Sequence, residues 1–202
     1  MGNARLAGKL EWAHRSRALD PREGSGDLQV VEIFPEGALL AVIDGLGHGP
    51  EAALAARRAA DTMREHAASD PIDIVERCHA ALRGTRGAAL LVLSLSFRDA
   101  LVTWAGVGNV EGWHMRPTGR EALLSRAGVV GYQITSPRLQ SAPLTSGDLF
   151  VLASDGISVR FSEILTRTGR PEDVAEAIFT RYAGVTDDAL VLAARYGDEG
   201  GS

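Results

Sequence analysis

The sequence predicts an α+β fold, an α-β-β-α sandwich of two antiparallel sheets flanked by helices. Three observations predict it: apolar strand-like runs outnumber helical ones, most connections between them have hairpin length, and the helical segments come in two pairs. The length of 202 residues fits one domain, residues 1–202, with a core over about 8–196.

Taken in order, the loose segment Asp20–Pro21–Arg22–Glu23–Gly24–Ser25–Gly26 separates an N-terminal stretch from the rest. Leu28–Phe34 and Ala38–Ile43, split by Pro35–Glu36–Gly37, read as a β-hairpin. The run Asp44–Gly45–Leu46–Gly47–His48–Gly49–Pro50 then leads into a helix over Glu51–Ala68. Gly49 can cap it, Pro50 suits its first position and Glu51 complements its dipole. Its buried face would be Ala52, Ala55, Ala56, Ala59, Ala60 and Met63, small enough to bring the helix close to a sheet. A second helix spans Pro71–Arg83.

Strands are predicted over Ala88–Phe97, Leu101–Val107, Val110–Arg116 and Glu121–Ser125, an antiparallel meander with the turns Arg98–Asp99, Gly108–Asn109 and Pro117–Gly119. A strand over Asp148–Ser154 ends at Asp155–Gly156. Helices fit Ser158–Arg167 and Pro171–Tyr182, a last strand fits Ala189–Arg195, and the tail from Gly197 should fray.

A net charge of −5 argues against a nucleic-acid or anionic-membrane partner held by bulk charge. The first nine residues carry no signal-peptide core, and no apolar run approaches the roughly 20 residues of a membrane span. A cytoplasmic monomer is expected. Cys78 is the only cysteine, which rules out an intrachain disulfide and a cysteine metal cluster, and its helical surroundings predict a buried apolar role.

Four acidic residues share one setting. Asp27 opens a strand, Asp44 and Asp155 end strands before glycine, and Asp187 precedes the last strand. Singly each is an ordinary turn or capping residue. Collected at one edge of a core they repel one another, and a divalent cation resolves that repulsion. Oxygen ligands without cysteine select hard ions, Mg²⁺ or Mn²⁺. A pair of such ions supports in-line attack of a bridging water on phosphorus.

Asp44–Gly45–Leu46–Gly47–His48–Gly49 followed by a small-residue helix resembles the signature of the bacterial sporulation/stress branch of the metal-dependent type 2C serine/threonine protein phosphatases. Ser25–Gly26–Asp27, Gly147–Asp148–Leu149 through Ala153–Ser154–Asp155–Gly156, and Thr186–Asp187–Asp188–Ala189–Leu190–Val191 match further family motifs in the right order. Fainter echoes are Ala105–Asn109 and Ala127–Gly131. The resemblance covers about residues 8–196 and, because the chain has no room for an added regulatory domain, is strongest to the stand-alone stressosome phosphatases.

It implies a phosphoserine/phosphothreonine phosphatase holding two Mn²⁺ or Mg²⁺ ions. Asp44 would bridge them, the Gly45 carbonyl would ligate one, Asp155 and Asp187 would complete the other, and Asp27 would lie beside the pair. Asp188 is the less favoured of the two adjacent acids. His48 is a candidate general acid for the leaving oxygen, although two residues separate it from the Asp-Gly. A loop histidine satisfied by local hydrogen bonds is the competing reading. His14, His66 and His79 read as surface or packing residues.

A phosphate-binding arginine is expected among Arg15, Arg17 and Arg22. The glycine-rich loop 45–49 lacks the Lys-Ser/Thr of a P-loop. The implied partners are phosphorylated STAS-type scaffold and antagonist proteins of the stressosome. An anti-anti-sigma factor as substrate, or a catalytically silent phosphoprotein-binding module, are the alternatives. The short stretch from Gly131 to Gly147 predicts a shallow, open site suited to a folded phosphoprotein.

Overall fold

The structure, a computed structural model, describes residues 9–197 together with the backbone of residues 3–6. One antiparallel sheet runs, in spatial order, β1 (Asn3–Leu6), β2 (Leu10–Arg17), β13 (Ala189–Tyr196), β12 (Leu149–Ala153), β7 (Glu111–Arg116) and β8 (Gly119–Ala122). The other runs β11 (Gln140–Pro143), β6 (Leu101–Val107), β5 (Ala88–Ser96), β4 (Gly37–Gly45) and β3 (Asp27–Phe34). A small hairpin pairs β9 (Gly128–Val129) with β10 (Gln133–Ile134). The tail beyond Gly197, expected to fray, lies outside the described residues.

Three apolar layers separate four layers of structure, as expected for an α-β-β-α sandwich. Between the sheets, Leu40, Val42, Leu91 and Leu93 meet Phe150, Leu152, Leu190 and Leu192. On the outer face of the second sheet, Leu39, Ala41, Ile43, Leu90 and Val92 meet helices α1 (Pro50–Glu65) and α2 (Pro71–Ala81). On the outer face of the first, Val151, Ala153 and Val191 meet helix α3 (Pro171–Tyr182) and the short 3₁₀ turn Val159–Ile164. β4, β5, β12 and β13 therefore bury both faces, which is why they read as unbroken apolar runs rather than alternating ones. Truncating Leu93 to alanine in the fully buried middle layer would cost about 3 kcal/mol.

Helix α1 presents Ala52, Ala55, Ala56, Ala59, Ala60 and Met63 inward as predicted, with Ala53 also buried. Cys78 is buried on α2, where its thiol donates to the Ala59 carbonyl at 3.7 Å and burial pushes its pKa up to about 12, an inert thiol.

Two sequence expectations are corrected, and one stretch gains an element. The N-terminal stretch, left without an assignment, is β2, which pairs with β13 along its whole length. Gly108–Asn109 is not a meander turn. β6 and β7 lie in different sheets, so this step carries the chain from one sheet to the other. The helix expected over Ser158–Arg167 is only the six-residue 3₁₀ turn, because β-branched and serine residues there hold a continuous α-helix poorly.

Candidate metal centre

The strands deliver the acidic residues to one end of the sandwich, from both sheets. Asp27 and Asp44 are direct partners across β3 and β4. Like charges placed opposite one another destabilise a sheet, and these two are also largely withdrawn from water. Burial first, then repulsion from Asp27 and Asp155, pushes the Asp44 carboxyl up to about 8. Burial likewise pushes Asp27 up to about 7 against the opposing effect of its bond from Ser154, with Asp188, Asp155 and Asp187 adding repulsion. Asp155 and Asp187 come from the other sheet, after β12 and before β13.

The backbone beneath them is closely fitted. Gly45 donates to the Gly26 carbonyl at 2.9 Å, extending the β3–β4 ladder by one step. A Cβ on Gly45 would stand 2.4 Å from the Ala52 carbonyl oxygen, so only glycine lets α1 come this close to the strand end. At Gly156 a Cβ would stand 1.9 Å from the Asp188 carbonyl oxygen.

Three side chains that the sequence reading did not place in the site hold it together. Ser154, 1% exposed, receives the Leu190 N–H at 2.9 Å and donates its hydroxyl to Asp27 Oδ2 at 2.5 Å. Asp188, 3% exposed, spends both carboxylate oxygens on backbone N–H groups, Leu19 and Gly26, each at 2.6 Å. It therefore pins the loop before Asp27. Asn109 donates to Asp155 Oδ2 at 2.7 Å. Ser154 and Asp188 were legible as neighbours of Asp155 and Asp187, and Asn109 as part of the faint Ala105–Asn109 motif.

The fit to a cation can be tested on these atoms. Asp44 Oδ2 is buried without a hydrogen-bond partner, a costly state for a carboxylate oxygen unless a proton or cation serves it. Among the described residues no group of three or more His, Cys, Asp or Glu side chains is arranged to hold a metal as it stands. Instead the carboxylates of Asp44, Asp27 and Asp155 stand close enough to repel one another. Donor chemistry and net repulsion both fit a hard divalent ion.

His48 lies on the loop after Asp44, exposed, and its ring makes no hydrogen bond to any described residue. Of the three arginines, Arg15 pairs with Glu172 and Glu176 of α3, Arg22 pairs with Asp20, and Arg17 donates to the Gly184 carbonyl. Gly184 in turn donates to Gly156 at 2.8 Å, so Arg17 is the one tied to the segment beside Asp155. Asn109 also lines a cleft of about 280 Å³ with Glu111, Trp113, Leu123, Leu124 and Ser125. Among the described residues no helix is long and apolar enough to cross a membrane.

Comparison with known proteins gives the family and the fold. The family model described as stage II sporulation protein E (SpoIIE) matches residues 35–197. Phosphoserine phosphatase RsbX of Bacillus subtilis (strain 168) is 28% identical over 135 residues, covering 66% of this chain and 68% of RsbX. A chain from a structure of the bacterial stressosome, described as a modular system adapted to control secondary messenger signalling, is 32% identical. It covers 93% of this chain and 100% of its own, with a TM-score of 0.85. The crystal structure of RsbX in complex with magnesium superposes with a TM-score of 0.88 at 21% identity, over 97% of this chain and 99% of that one.

Proposed function

Because this chain belongs to the SpoIIE family of type 2C phosphatases, we propose that it removes phosphate from phosphoserine or phosphothreonine in the scaffold and antagonist proteins of a stressosome. That it is a serine/threonine protein phosphatase follows from the family. The stressosome substrates are supported by the relatives, one a phosphoserine phosphatase and one drawn from a stressosome structure. The observation that carries the reading is the buried, unpartnered Asp44 Oδ2 facing Asp27 across the β3–β4 ladder.

Asp44 would bridge two Mn²⁺ or Mg²⁺ ions, with the Gly45 carbonyl on one, Asp155 and Asp187 on the other, and Asp27 beside the pair. When bound, the ions supply an activated water and neutralise charge growing on the phosphoryl oxygens. The chain's own residues do the rest. Ser154 orients Asp27, Asp188 fixes the Gly26 loop, and Arg17, bound to the Gly184 carbonyl, would serve as a cation for the phosphate. His48, open to solvent on its loop, would protonate the leaving serine or threonine oxygen. The cleft beside Asn109 gives residues flanking the phosphorylated one a place to lie, which suits a protein substrate.

The test is phosphate release from phosphorylated stressosome scaffold and antagonist proteins, with Mn²⁺ and with chelator. Metal-dependent release is expected. No release from either protein would overturn the substrate assignment, and no release from any phosphoprotein would overturn the catalytic one.

A further inference from the structure

Asn109 is a neutral residue among acids, and its position follows from strand register. In the β7–β12 ladder Glu111 faces Ala153. Continuing that register by two residues sets Asn109 across from Asp155, and the side chains meet there at 2.7 Å. We propose that Asn109 is a positioning residue that holds the Asp155 carboxylate open for a cation. The inference rests on the metal-centre reading above.

The backbone on both sides of Asn109 is fixed. Gly108 has φ +95°, where a side chain is strained, and a Cβ there would stand 2.4 Å from the Ala89 Cβ. Its N–H is bound to the Arg126 carbonyl at 2.9 Å. Val110 on the other side is 3% exposed. The crossing between sheets thus presents the Asn109 amide at a set place. Asp155 lacks such support of its own: it is exposed, and it follows the end of its strand. Its charged neighbours are Asp44 and Asp27, which repel it.

An untethered Asp155 would be free to turn away from the carboxylates that repel it, whereas the bond from Asn109 fixes where Oδ2 stands. The chemistry of the tether matters as well. Arginine or lysine would orient Asp155 equally firmly but would neutralise it and compete with a cation. An amide fixes the direction and leaves the full negative charge in place.

The experiment measures Mn²⁺ binding to the whole chain by calorimetry, with the thermal midpoint of the metal-free protein as the second reading. Asn109→Ala should weaken Mn²⁺ binding roughly ten-fold while leaving the metal-free midpoint unchanged. Asn109→Gln, which keeps the amide on a longer arm, should recover part of that loss. Wild-type affinity in Asn109→Ala would overturn the proposal, as would an equal loss in the alanine and glutamine variants. A fall in the metal-free midpoint matching the loss of affinity would show a structural role instead and also overturn it. If the wild-type chain itself binds no Mn²⁺, the metal-centre reading fails first and this inference falls with it.

Discussion

Strand β12 carries an aspartate just outside each end, and the two have opposite surroundings. Asp148, fully buried, receives the Thr145 N–H at 2.9 Å and faces His114 Nε2 at 2.8 Å, with the imidazole stacked on Phe150. Asp155 stands exposed among other carboxylates, with the Asn109 amide as its tether. At the first end an imidazole and a backbone N–H both meet one carboxylate oxygen, Asp148 Oδ2. At the second, like charges collect and are held in place without being neutralised. The contrast separates an aspartate that stabilises the fold from one that spends stability on chemistry, although both follow or precede glycine on one strand.

That contrast can be broken at either end. Asp44→Ala should abolish metal-dependent phosphate release, by about 10³-fold or more, and raise the thermal midpoint of the metal-free protein by relieving the repulsion it shares with Asp27. At the other end, His114→Ala leaves the buried Asp148 with only the Thr145 N–H. It should cost about 3 kcal/mol and lower the midpoint by roughly 10 °C, with the Mn²⁺ affinity of the folded protein unchanged. Titration calorimetry and thermal melts on both variants decide the matter, and a His114 variant that loses metal binding while folded would erase the distinction.

His48→Ala should slow release from a phosphoprotein about 10²-fold. With p-nitrophenyl phosphate the effect should be far smaller, because that leaving group needs no proton. Equal losses on both substrates would remove His48 from the acid role.

The smallest effect is on pH dependence. Folded Asp44 keeps its proton to about pH 8, against an ordinary value near 3.8, and Asp27 keeps its own to about 7. Between pH 4 and 8 the native state therefore binds more protons than the unfolded chain, and stability falls as pH rises through that window. Melts of the chelated protein from pH 5 to 8 should show the decline, and saturating Mn²⁺ should flatten it.

Much of this was legible in the residues. The Asp44–Pro50 loop announced a strand end, a tight approach and a helix start, and small residues at helical spacing gave the buried face of α1. The rest was hidden for identifiable reasons. Gly108–Asn109 carries the same signal whether the chain turns back within a sheet or crosses between two, because both need a short step with positive φ. Only the pairing of β7 with β12 decides it. β2 escaped because its buried positions, Leu10 and Ala13, are three apart, a spacing that does not announce a strand. The tethers Ser154, Asp188 and Asn109 could not be assigned from sequence because their meaning lies in which distant atom they reach.

The gathering of carboxylates from two sheets has a mechanical consequence. Asp27 and Asp44 belong to one leaf of the sandwich, Asp155 and Asp187 to the other, so an ion shared among them would act as a rivet through the joint between leaves. Separation of the leaves would then require the rivet to leave, and each tenfold rise of free ion above its dissociation constant would add about 1.4 kcal/mol to closure. In hydrogen exchange, the amides at the ends of β4 and β12 should pass from the fastest-opening in the sheets to among the slowest as Mn²⁺ is added.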